Sequence, residues 1–258
     1  MKDGAPLISL TGIGKTFSSG TTALEDFNLS VRAGEFVSLL GPSGCGKSTA
    51  LRIIAGLVHP SGGRIDWPGD ARAAEHNISF VFQEPTLMPW ASVFGNVHLP
   101  LKLKGMSKAD ARADVISALE MVGLEGFADA YPRELSGGMK MRVSIARALV
   151  TKPQLLLMDE PFAALDEITR FRLNNDLLAL WRRLGWTVVF VTHSVFESVF
   201  LSNRIVVMAA RPGRVTREIA IDEPYPRDED FRTSPHYGEL CREASHALGA
   251  ALEAGEPA

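Results

Sequence analysis

The chain has 258 residues, 46% of them hydrophobic and 22% charged, with a formal net charge of -3. That composition can bury an ordinary globular core, and the slightly negative balance argues against a sequence-independent nucleic-acid binder, which needs a basic stripe. Its two cysteines, Cys45 and Cys241, are too few for a disulfide framework or a metal site and point to a reducing compartment. The start at 1–6 lacks the charged-then-apolar pattern of a leader, and no apolar run approaches the roughly 18 residues of a membrane span. The chain is therefore expected neither to cross a membrane nor to be exported.

Residues 7–12 and 24–31 alternate apolar and polar side chains around Ser18-Ser19-Gly20 and predict two antiparallel strands. Phe36-Val37-Ser38-Leu39-Leu40 is an apolar run that reads as a strand feeding Gly41-Pro42-Ser43-Gly44-Cys45-Gly46-Lys47-Ser48-Thr49. This is a phosphate-binding loop of the pattern G-x-x-x-x-G-K-[ST], followed by the helix-compatible Ala50-Leu51-Arg52-Ile53-Ile54-Ala55. Its glycines let backbone amides turn inward on an anion, and a helix N-terminus adds its positive end. Polyphosphate is the natural guest, with Lys47 reaching the β- and γ-phosphates and the Ser48 hydroxyl taking one position on Mg²⁺.

Further strands are expected at 64–67 and 77–83, after which Pro85, Pro89, Gly95 and Pro100 should break regular structure. Ser107 reads as a helix N-cap with Asp110 behind it, and Val115, Leu119 and Val122 follow at helical spacing. A second helix is expected over 140–149, so 84–149 reads as a mostly helical insert. Beyond it, 155–158, 187–192 and 204–208 are continuous apolar runs of the kind covered on both faces of a parallel sheet. A helix over 167–184 separates the first two, and this alternation defines a wound α/β sheet. After Ile219 the chain turns polar and proline-dotted, and Ser234-Pro235 offers a start for a helix over 237–250. No internal repeat interrupts what reads as one domain with subdomains.

Two more motifs carry chemistry. Asp159 and Glu160 end the buried run at 155–158, where α/β proteins place their ligands, in the form of a Walker B strand. Asp159 would hold Mg²⁺ and Glu160 would polarise the water that attacks the γ-phosphate; the alternative is an Asp-Glu-Pro turn that caps the next helix. Leu135-Ser136-Gly137-Gly138-Met139 puts a hydroxyl and two glycine amides at a helix start, a second anion site by the dipole argument, or a helix cap with no ligand. One nucleotide tail and two phosphate holders are reconciled if the second holder serves the nucleotide of a partner, in a two-fold dimer.

With these motifs in this order, the chain resembles the nucleotide-binding subunit of an ATP-binding cassette transporter over nearly all of 7–210. The resemblance implies a P-loop NTPase fold with a RecA-like parallel core (about 1–83 and 150–220), an N-terminal antiparallel β subdomain and an α-helical subdomain (about 84–149). A polar and helical tail (about 221–258) follows. It assigns Gln83 to sensing Mg²⁺ and the attacking water, Ala163-Ala164-Leu165-Asp166 to the dimer interface, and His193 to the γ-phosphate. Phe17 falls where the family stacks an aromatic ring on adenine, and a phenyl face can stack without a hydroxyl. Met139 and Met141 stand where the family often has glutamine, and Ala164 where serine is common; the serine, glycines and carboxylates remain.

The implied function is ATP hydrolysis with Mg²⁺ by a homodimer. The dimer would sit on the cytoplasmic face of a bacterial inner membrane, peripheral to permease subunits and indirectly served by a solute-binding protein, with no nucleic-acid partner. The strings Val81-Phe82-Gln83-Glu84-Pro85-Thr86-Leu87-Met88-Pro89-Trp90 and Pro161-Phe162-Ala163-Ala164-Leu165-Asp166 are similar to those of nitrate, sulfonate and taurine importers. Relatives that import thiamine-precursor pyrimidines are an alternative, as is a soluble cassette ATPase outside transport. Leu87, Met88, Trp90, Val93 and Phe94 form either a seat for a permease helix or part of the helical core.

Overall fold

The computed structural model describes residues 6–68 and 77–253; apart from Pro6, the leader-free start read from 1–6 lies outside them. In chain order the elements are β1 (Pro6–Thr16), β2 (Thr22–Arg32), β3 (Phe36–Leu40), α1 (Lys47–Ile54), β4 (Gly62–Asp66), β5 (Ile78–Val81), α2 (Val93–Leu103), α3 (Arg112–Met121), α4 (Gly137–Leu149) and β6 (Leu155–Asp159). There follow α5 (Glu167–Leu184), β7 (Thr187–Thr192), α6 (Val195–Leu201), β8 (Arg204–Ala209), β9 (Arg214–Ala220), α7 (Glu229–Thr233) and α8 (Pro235–Glu253). Contacts divide the chain into two compact units, Met1–His76 with Gly185–Ala258, and Asn77–Leu184.

In the first unit β2, β1 and β4 form an antiparallel sheet in that order. Leu10 pairs with Leu29 and Ile13 with Phe27, and Ile8, Leu10, Ile13, Leu24, Phe27, Leu29 and Val31 are buried, so the alternation in sequence becomes one covered face. β3 lies between β7 and β8, parallel to both, and is buried at every position, as is β7. Phe36 and Phe190 meet with ring centroids 5.9 Å apart; each such buried ring stabilises by about 1.5–3 kcal/mol. β9 then closes antiparallel on β8, an edge strand that the polar composition of 214–220 does not announce.

In the second unit β5 runs parallel to β6, and α4 packs against β5, α2, α3 and α5. The expectation that Gly95 and Pro100 break regular structure is corrected: both lie inside α2. A proline inside a helix removes the amide that would bond the carbonyl four residues back, here Asn96, and crowds that carbonyl with its ring, together a cost of about 3 kcal/mol; burial of Val93, Val97 and Leu101 offsets it. Asn96, fully buried, adds side-chain bonds to the carbonyls of Met88, Ala91 and Ser92 and accepts the Met88 amide at 2.7 Å. Ser107 does accept the Asp110 amide, at 3.2 Å, but α3 begins only at Arg112, after a run of turns. Val115, Leu119 and Val122 are buried as their spacing predicts.

Candidate functional site

In the first unit β3 delivers the chain at Gly41 and α1 takes it up at Lys47. The turn between them depends on Gly46, whose φ of 94° is costly for any residue with a Cβ, and a Cβ there would stand 2.6 Å from the Ala23 carbonyl. α1 has Gly46 as N-cap and no side-chain cap, the arrangement in which a helix start receives phosphate oxygens. Lys47 is 4% exposed. Its ammonium donates to the carbonyls of Gly41 at 2.8 Å and Pro42 at 2.9 Å, inside the loop. Pro42, Ser48 and Thr49 are half-buried, Ser43 and Gly44 exposed and Cys45 buried.

Leu40 pairs with Thr192 across β3 and β7, so the phosphate loop and His193 leave neighbouring parallel strand ends at the same level. His193 is exposed. Its flanks are wired: the Thr192 hydroxyl donates to the Glu197 carboxylate and accepts the Ser194 amide at 2.9 Å, while Ser194 caps α6 by accepting the Glu197 amide. Phe17, 40% exposed, sits in the turn that precedes β2, where its amide donates to Thr21 and the Lys15 ammonium lies 5.2 Å from its ring. That strand supplies the Ala23 carbonyl behind Gly46.

The second unit repeats the arrangement with different groups. Val81 pairs with Met158, so Gln83 and Glu160, each two residues farther on, leave adjacent parallel strand ends. Gln83 is exposed, Glu160 half-buried and Asp159 7% exposed. Glu160 has a φ of 46°, a backbone setting that costs about 1–3 kcal/mol in a residue with a side chain and concentrates at functional positions. It does not cap the next helix, because α5 begins at Glu167 and Asp166 caps it by accepting the Thr169 amide at 2.9 Å. That bond is the main reason the exposed Asp166 carboxyl lies below the usual carboxylate range.

Ser136 caps α4, its hydroxyl accepting the Met139 amide at 3.3 Å; the helix-cap alternative therefore describes this residue as it stands, and its O–H remains available to donate. Gly138 is required by close approach, since a Cβ would meet the Thr169 side chain at 2.8 Å, and a Cβ on Gly137 would meet Leu165 at 3.4 Å. The Ser136-Gly137-Gly138 turn and the residues flanking Asp166 thus pack together. Met141 belongs to the buried core, while Ala164 is exposed.

Two contributors escaped sequence reasoning. Arg147, near the end of α4, donates to the carbonyls of Thr86 at 2.9 Å and Pro85 at 2.8 Å and so fixes the loop that follows Gln83. Gly213, in the turn before β9, lies so close to the phosphate loop that a Cβ would stand 2.1 Å from the Cys45 carbonyl. Neither carries a sequence signal beyond a helical arginine and a Pro-Gly turn. The apolar cluster divides: Val93 is fully buried, Trp90 is 77% exposed, and Leu87, Met88 and Phe94 are half-buried. Nearby in the second unit is a groove of ≈ 550 Å³ lined by Phe80, Phe82, Leu99, Leu103, Arg147 and Thr151 among others. Among the described residues no helix is long and apolar enough to cross a membrane.

The family model described as ABC transporter matches residues 24–163. An uncharacterized ABC transporter ATP-binding protein of Methanocaldococcus jannaschii is 48% identical over 241 residues, 93% of this chain and 89% of the relative. An aliphatic sulfonates import ATP-binding protein of Bacillus licheniformis, SsuB, is 46% identical over 225 residues, 86% of each chain. Among solved structures, the dimeric bacterial ABC transporter cassette MJ0796 superposes with a TM-score of 0.72 at 37% identity, covering 84% of this chain and 100% of that one. A post-hydrolysis state of that cassette, bound to ADP and Pi, matches equally.

Proposed function

Because the chain belongs to the ABC transporter family and is an ATP-hydrolysing cassette, we propose that it energises a bacterial importer of small sulfonate-type solutes. The solute class rests on kinship with the sulfonate import protein, which favours it over thiamine-precursor pyrimidines. ATP is the substrate, and the observation that carries the reading is the loop at 41–49, with its left-handed Gly46, its uncapped helix start and its buried lysine.

Each residue then has a task. Amides of 41–49 hold the phosphates, Lys47 turns from the Gly41 and Pro42 carbonyls to the β- and γ-oxygens, and Phe17 stacks on the base. The Ser48 hydroxyl of the first unit would be an oxygen donor to Mg²⁺, and the Gln83 amide oxygen and the Asp159 carboxylate of the second unit would offer donors of the same kind. The ion, when bound, neutralises charge on the phosphates. Glu160 accepts the proton of the attacking water, which Gln83 orients, and His193 donates to a γ-phosphate oxygen. Ser136, Gly137 and Gly138 of a second copy close over the same triphosphate, so ATP joins the two copies and its hydrolysis lets them part. The dimeric state of a cassette relative supports this arrangement.

The exposed Trp90 and the groove beside Leu103, itself 80% exposed, suit a helix of a permease subunit at the cytoplasmic face of the inner membrane. A solute-binding protein would supply the cargo from the other side. Glu160→Gln tests the hydrolytic assignment. Turnover is expected to fall about 10²- to 10⁴-fold with ATP affinity kept in a titration and an ATP-bound dimer trapped in gel filtration; normal turnover would remove Glu160 from the mechanism.

A further inference from the structure

The first unit ends in a segment for which the hydrolytic scheme has no use, yet its side chains converge on the short helix that starts beside His193. Arg227 is 5% exposed and donates from one terminal nitrogen to the carbonyls of Val199 at 3.0 Å, Phe200 at 3.0 Å and Ser202 at 2.8 Å, the C-terminal end of α6. Its other terminal nitrogen holds the carbonyls of Ile221 at 3.2 Å and Glu223 at 3.0 Å. The Tyr225 hydroxyl donates to Leu201 at 3.1 Å and the Tyr237 hydroxyl to Phe196 at 2.9 Å. The Arg232 guanidinium lies 3.6 Å from the centre of the Phe200 ring.

A helix of one to two turns is marginal by itself, and its last carbonyls need partners. A buried guanidinium supplies several donors and a positive charge where the helix dipole is negative. At its other end α6 is joined to the strand that presents His193, through the Thr192 hydroxyl on Glu197 and the Ser194 cap. A shift of α6 is therefore a shift of the Thr192-His193-Ser194 turn.

We propose that Arg227, with Tyr225 and Tyr237, is a positioning device for His193: the C-terminal segment holds α6 in register so that the imidazole meets the γ-phosphate. The proposal rests on the role given to His193 above. The test uses the full chain and the variants Arg227→Lys, which keeps the charge but not the fork, and Tyr237→Phe, which removes one hydrogen bond and leaves the ring. Both are expected to lower kcat by about 5- to 10-fold through small misplacement, with ATP affinity unchanged and Arg227→Lys the stronger.

In a His193→Ala background the same substitutions should add no further loss of residual single-turnover rate. With ¹⁵N-labelled histidine, the His193 ring signal, identified among the 6 histidines by its absence in His193→Ala, should move in both variants. Equal losses in both backgrounds, no loss in either, or an unmoved His193 signal would overturn the proposal. Unimpaired turnover of His193→Ala itself would instead strike the role of His193, a failure told apart because it needs no Arg227 substitution. Should Arg227→Lys fold poorly in a urea melt, Tyr237→Phe decides alone.

Discussion

Two helix starts in this molecule both look like anion sites in sequence, and their structures differ. α1 opens on Gly46 with no side-chain cap and a buried lysine as its first residue, whereas α4 opens on Ser136, whose hydroxyl already accepts an amide of its own helix. The first is shaped from backbone and set into a core, so its geometry precedes any ligand. The second starts on an exposed serine that is satisfied by its own helix, and in the proposed dimer it would gain a phosphate only when a second copy brought one. A preformed holder sets affinity for the nucleotide; a completed holder makes activity depend on assembly.

The contrast is tested most severely by Lys47→Ala, expected to weaken ATP binding about 10- to 100-fold, the worth of a charge-assisted bond to phosphate. An unchanged affinity in an equilibrium titration would mean that the loop does not hold the triphosphate. Gly213→Ala comes next: the new Cβ must displace the Cys45 carbonyl, a strain of about 1–3 kcal/mol in a urea melt, with weaker ATP binding as the loop shifts. Gly238→Ala, in α8 with nothing within 4 Å of the added Cβ, is its control and should be neutral or stabilising.

Ser136→Ala should cost about 1 kcal/mol through the lost cap of α4. Single-chain ATP affinity should stay, and only the concentration-dependent part of the ATPase rate should fall; a drop in affinity would erase the distinction between the two starts. The smallest effect belongs to Asp166. Its folded pKa is depressed, first by the Thr169 amide, so its contribution is present above the unfolded value of about 3.9 and is lost as pH falls through the lower folded value. The slight decrease in Tm of Asp166→Ala should therefore be visible at neutral pH and close below about pH 4; a gap that persisted in acid would show that the carboxylate is not the cap.

Most element types were legible because they are local. Residues 155–158, 187–192 and 204–208 are apolar on both faces and became β6, β7 and β8; 167–184 became α5 at those limits. The breaks expected at Gly95 and Pro100 failed because tertiary burial of Val97 and Leu101, with Asn96 wired to three carbonyls, outweighs one missing amide bond. α6 and β9 went unseen for a related reason: one is too short for a periodic signal, the other is an edge strand with polar residues. At the site, the phosphate loop and the Asp159-Glu160 strand end were readable as strings. Arg147 holding the loop after Gln83, and Gly213 against Cys45, were not.

The chain's residues alone determined which chemistry is present and in what order, because glycine conformation, strand alternation and helix capping act over a few neighbouring residues. Which strand ends stand level was decided by the tertiary structure: Leu40 beside Thr192, Val81 beside Met158. The seating of Gly213 on the phosphate loop and the closing of Arg227 on α6 were decided there too. Such pairings join segments far apart along the chain, and only packing, which trades loop entropy for buried area and satisfied carbonyls, selects among them.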